Sequence, residues 1–120
     1  MTSKKYTHKV SVEKPFMPKG AYVITPNMNS IEDAFHRTQK PSLKELQKWV
    51  GGYIQVMPGS INGHKFEIVM DEEGKMKEGN KINYVATAMM NLAWGIDITK
   101  GDEVADVVMG TVVVLKGFRV

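Results

Sequence analysis

Hydrophobic and polar residues change period several times along this chain, and each change marks an expected element. In "HKFEIVM", Phe66, Ile68 and Met70 alternate with Lys65 and Glu67, the period of a half-buried strand. In "SLKELQKWV", Leu43, Leu46 and Val50 fall at i, i+3 and i+7, the apolar stripe of a surface helix. Ser42 and Glu45 open that helix as a capping box: the serine oxygen takes an amide of the first turn and the glutamate reaches back. Gly51 supplies the left-handed residue that ends a helix without a Cβ clash, and Gly52 releases the chain into the strand "YIQVMP", with Ile54 and Val56 inward. "PGSING" is rich in turn formers and predicts a hairpin before "HKFEIVM". "DEEG" reads as an acidic turn. A second helix is expected over "NYVATAMMNLAW", capped by Asn83, with Val85, Ala88, Met89 and Leu92 on one face and Gly95 as its stop.

The flanks are less regular. "HKVSVEK" predicts a short strand with Val10 and Val12 on one face, "PFMPKG" a proline-broken loop, and "AYVITP" a strand stopped by Pro26. Ser30, with Asp33 three residues on, predicts a helical turn from Ile31 that carries Ile31, Ala34 and Phe35 on one face and includes His36. "VADVVMGTVVVLKGFRV" is β-branched throughout and too long for one straight strand, so Gly110 is expected to bend it. The order β-β-α-α-β-β-α-β, dominated by hairpins, predicts an α+β fold: a small, mainly antiparallel sheet with two or three helices packed on one face. We expect a single domain, with residues 1–41 a basic N-terminal extension of short strands and a short helix, and residues 42–120 the α+β core.

Composition narrows the chemistry. The 120 residues include no cysteine, which excludes disulfides, thiol nucleophiles and thiolate metal sites. No apolar run approaches the ~18 residues of a membrane span, and residues 1–20 hold no apolar stretch of the kind a signal peptide needs. The net charge of +3 is uneven, because residues 1–20 carry five lysines against Glu13. Lys4, Lys5 and Lys9 are the candidates for phosphate contact in that leading segment, against the simpler reading of a solubilising tail. His8, His36 and His64 have no metal-ligand spacing, and Asp71 and Glu72 lack the alternating acids of a calcium loop. No phosphate-binding glycine motif or serine elbow occurs, and Gly51-Gly52 sits at the wrong helix end for an anion. Asp106, among valines, reads as a solvent-facing or structural acid. We expect no enzyme, no cofactor and no metal.

What remains points to binding. Asn83, Thr87 and Asn91 fall at i, i+4 and i+8 on the second helix, a polar stripe that is either a solvated face or, with Tyr84 and Trp94 nearby, a reader of a small nucleotide-like ligand. Trp49 and Trp94 each precede a glycine stop. Trp49 with the adjacent Tyr53 is the candidate protein-binding pair, against the reading that each tryptophan covers a core edge. Nine methionines make either a soft core or an adaptable partner surface.

The segments "LQKWVGGYIQVMP", "IVMDEEGKMKEGNKINYVAT" and "DVVMGTVVVLKG" together resemble an uncharacterised domain family of phages and mobile elements. The residues that carry the resemblance are Leu46, Val50 to Ile54, Asp71 to Lys75, Asn83, Ala86, Thr87 and Asp106 to Thr111. They cover about residues 42–117, and a longer N-terminal extension and Lys81-Ile82 depart from the pattern. The resemblance implies a virus- or plasmid-linked accessory protein in a bacterial host cytoplasm, with no known activity. We therefore expect a non-enzymatic binding protein whose partner is a host protein or a second copy in a homodimer. Ligand sequestration and nucleic-acid binding through the N-terminal lysines are the alternatives.

Overall fold

The computed structural model describes residues 17–120. Among them the elements run β1 (Gly20–Ile24), β2 (Phe35–Arg37), α1 (Leu43–Val50), β3 (Ile54–Ile61), β4 (His64–Asp71), α2 (Tyr84–Ala93) and β5 (Val112–Lys116). Single 3-10 turns lie at Ile31–Asp33, Gly74–Met76 and Ile98–Lys100. The five strands form one antiparallel sheet in the order β2-β1-β5-β4-β3. The strand expected at 8–14, and Lys4, Lys5 and Lys9, lie outside the described residues.

The sheet is covered on both faces, which corrects the expectation of helices on one face. Along β5, Val112 and Val114 join Tyr22, Ile24, Phe66 and Ile68 under α2, while Val113 and Leu115 join Ala21, Val23 and Val69 under α1. A strand buried on both faces needs no polar alternation, which is why "VVVL" reads as an unbroken apolar run. Leu46 and Val50 of α1 and Val85, Ala86, Met89 and Met90 of α2 supply the helical halves of the two cores. Each large side chain so buried contributes about 1.5–3 kcal/mol. β1 is an inner strand and buried throughout, so the sheet takes in two strands that precede Ser42, β1 and β2.

Three local expectations change. Ser30 makes no side-chain cap, the helical turn stops after Asp33, and Phe35–Arg37 turns extended to pair with β1. β3 runs on through Pro58 and Gly59 to Ile61, and the turn is Asn62-Gly63, both at positive φ, as a tight two-residue hairpin requires. The segment 102–110 is loop rather than strand, and Gly110, at φ 85°, precedes the strand proper.

The capped helix is as expected. The Ser42–Glu45 box is complete, and Gly51 ends α1 in the left-handed region at φ 91°. Gly52 serves close approach: a Cβ there would lie 3.1 Å from Asp71 Oδ1 and 3.0 Å from Lys77 Nζ.

Candidate functional site

The polar stripe of α2 faces inward. Asn83, Thr87 and Asn91 are fully buried, and their hydrogen bonds go to the protein's own backbone. Asn83 Oδ1 accepts the Ala86 amide at 3.0 Å as the helix cap, while Nδ2 donates to the carbonyls of Ile24 and Gly110, each at 2.9 Å. Thr87 Oγ1 accepts the Val108 amide at 2.9 Å. Asn91 accepts the Ala105 amide at 2.8 Å and donates to the Asp106 carbonyl at 2.9 Å. The three side chains thus form a ladder that pins the irregular 105–110 segment along the helix, doing for a loop what a neighbouring strand would do. Tyr84 is half-buried and Trp94 is 48% exposed at the far end of α2. None of these five residues lines either of the two clefts described below.

Trp49 also has an internal role. It packs on the α1 core, and the Arg37 guanidinium lies 5.3 Å from its ring centre. Arg37 grips both oxygens of Glu45 at 2.8 and 2.9 Å, and Glu45 Oε1 also accepts the Ser42 amide at 2.9 Å. Arg37 and the cap together hold the Glu45 carboxyl down at about 2. Tyr53 is 74% exposed where β3 begins, its carbonyl accepting the Glu72 amide at 2.9 Å.

The segments named for the family resemblance converge at the Asp71 end of the sheet. Lys77 Nζ donates to the Gly51 carbonyl at 2.7 Å and pairs with the buried Asp71 at 2.5 Å. Asn80 Nδ2 donates to the Gly74 carbonyl at 2.8 Å. Gly110 is in the left-handed region at φ 85°, and a Cβ on it would sit 3.0 Å from that amide, so a side chain there is both strained and crowded. Lys75 pairs with Asp106 and holds its carboxyl below the usual carboxylate range.

Between these braces and the sheet edge lies a cleft of about 290 Å³. Met57, Met70, Met76, Met90 and Met109 line it, together with Gln55 and the Lys75–Asp106 pair. Five of the nine methionines therefore meet in one place. Met90 is buried at the floor, and Met76 is 83% exposed at the lip. The sequence signalled many methionines but not their meeting, because they come from β3, β4, α2 and two loops. Thioethers are polarisable and unbranched, so such a cleft adapts its shape to an apolar guest.

β3 borders this cleft and, among the described residues, is one of the two edge strands of the sheet, with β2 at the other side. Its eight residues carry no charge. The two-residue loop makes Ile61–His64 the hydrogen-bonded closing pair, and the Tyr53–Glu72 bond falls on the same parity. The main-chain groups of Ile54, Val56, Pro58 and Ser60 therefore point outward.

Among the described residues no three His, Asp or Glu side chains gather as a metal site. No helix among them is long and apolar enough to cross a membrane. No curated protein and no solved structure matches the chain. The pattern described as "Domain of unknown function (DUF3846)" matches residues 19–118, so the chain belongs to the DUF3846 family.

Proposed function

We propose that this domain is a non-enzymatic protein-binding module that takes an extended apolar segment of a partner against β3 and the methionine cleft. The observation that carries this reading is the meeting of five methionines beside an uncharged open edge. The outward amides and carbonyls of Ile54, Val56 and Ser60 pair with an added strand. The guest's side chains on the α2 side enter beside Met57 and Met70. Exposed Tyr53 at the start of β3 adds an aromatic contact, as first expected of it.

Pro58 favours a different protein over a second copy. It removes an outward N–H from the middle of the edge, and two such strands paired about a two-fold axis would each lose that bond. The resemblance to phage and mobile-element proteins supports a bacterial host protein in the cytoplasm as the partner.

A photo-crosslinking amino acid at Gln55, on the cleft, tests this against the same group at Thr99, which is exposed on the 3-10 turn after α2. Irradiation in a bacterial host should give a discrete adduct from position 55 that contains another protein. An adduct of twice the chain mass would mean self-association instead. Equal labelling from both positions would overturn the reading.

A further inference from the structure

Charge is segregated across the sheet. Residues 17–120 hold twelve bases and twelve acids, yet four of the bases gather at the end opposite Asp71. Lys65, Lys116 and Arg119 line a groove of about 840 Å³ between the β3–β4 hairpin and residues 116–119. Lys19 stands beside them, because Gly20 pairs with Lys116 and the Lys19 ammonium lies 5.2 Å from the centre of the Phe118 ring. Phe118 lines the same groove.

Among the described residues none of these four cations is in an ion pair, and the lysines and arginines that are paired are Arg37, Lys75, Lys77 and Lys100. Glu67 is the one carboxylate in the groove, and it is held by the Val120 amide at 3.0 Å. Lys116 Nζ donates to the Lys65 carbonyl at 3.2 Å, which keeps its ammonium on the groove wall.

We propose that this groove binds a single strand of nucleic acid, with phosphates on Lys65, Lys116 and Arg119 and a base against Phe118. Cations that track a backbone beside an aromatic ring are what a sequence-tolerant single-strand site needs. A duplex offers no free base to the ring and is convex where this wall is concave. An acidic peptide has the charge but no use for the aromatic surface. The site is separate from the methionine cleft, and no residue lines both.

The test is fluorescence anisotropy with the full chain and a labelled, mixed-sequence DNA single strand of about 20 nucleotides, titrated across salt. Combined Lys65→Gln, Lys116→Gln and Arg119→Gln should weaken binding at least about tenfold. It should also flatten the slope of log K against log salt by about 2, at ~0.7 per lost single-strand contact. Phe118→Leu should cost about fivefold or more, and Phe118→Trp should restore binding. Circular dichroism confirms that each variant is folded.

Four outcomes would overturn the assignment. One is no binding at low salt. Another is displacement by duplex or by polyglutamate as effective as by unlabelled single strand. A third is an unchanged slope in the triple variant while Lys4→Gln, Lys5→Gln and Lys9→Gln together abolish binding, which would place the contact in the leader alone. The last is a Phe118→Leu variant that binds as well as wild type.

Discussion

Asn83 separates a structural residue from a ligand-reading one. Its side chain caps α2 through one oxygen and ties the ends of β1 and of the 105–110 loop through one amide group, with no exposure to solvent. Asn83→Asp keeps an oxygen for the Ala86 amide but replaces the donor with a second acceptor facing two carbonyls. As helix caps, Asn and Asp are about equal. If capping were all that mattered, the variant would match wild type. The two orphaned buried carbonyls instead cost about 1–3 kcal/mol each, and a carboxylate in place of the amide adds to this. The expected loss at neutral pH is therefore about 3–6 kcal/mol, a large share of the roughly 5–15 kcal/mol that holds such a domain folded. Asn83→Ala loses the cap as well, about 1 kcal/mol more, but introduces no charge. Burial beside carbonyl oxygens raises the folded-state pKa of the new aspartate above its unfolded value of about 3.9. The charge penalty is then absent below about pH 4 and grows as pH rises through the raised pKa. Urea denaturation at several pH values reads both effects. Near-wild-type stability of Asn83→Asp at neutral pH would refute the ladder and return Asn83 to the surface chemistry first expected of it.

Other consequences are simpler to read. The depressed Glu45 carboxyl, about 2 folded against 4.5 in its ordinary state, stabilises the fold fully above pH 4.5, and this is lost as pH falls toward 2. Thermal melts of wild type should therefore fall toward those of Glu45→Gln across that window, and a constant gap would refute the Arg37 pairing. Gly51→Ala should cost about 1–2 kcal/mol, because φ 91° strains any Cβ although the space is open. Gly51→Asn should recover part of this in the same melts, and equal losses would point to packing instead. Pro58→Thr restores an outward donor to the β3 edge and should give concentration-dependent association in sedimentation. Unchanged sedimentation would mean the edge is protected by something other than the proline.

The elements legible in the sequence were those whose signals are local. The Ser42–Glu45 box, the Gly51 stop, the Asn83 cap and the alternation of β4 each depend on neighbours within a few residues, and each stands where it was expected. Pairing across long separations was not legible. Phe35–Arg37 has the composition of a helix end and becomes a strand because β1 offers an open edge. The inward turn of Asn83, Thr87 and Asn91 depends on a loop some fourteen to twenty-seven residues away, and their spacing alone fits a wet face equally well. The methionine cleft had a compositional hint and the basic groove none, since Lys19, Lys65, Lys116 and Arg119 come together only through the strand order.

The two clefts differ in what holds them. The wall of the methionine cleft formed by residues 106–109 has few regular backbone bonds of its own, the Ile82–Met109 bridge among them. Its position follows from Thr87 and Asn91, which fix Val108 and Asp106 from behind, and from Lys75, which fixes Asp106 from the front. A rigid buried ladder thus supports a lining of flexible thioethers. Shape adaptation is then confined to side chains, with little ordering of main chain left to oppose binding. The edge strand beside it is held by its pairing with β4 over all eight residues, and Gly59 lies close under the Phe66 ring, where a Cβ would come within 2.9 Å. A preorganised backbone, a hydrogen-bonding edge and a soft apolar floor are the three things strand addition asks of a receptor, and among the described residues they occur together along β3.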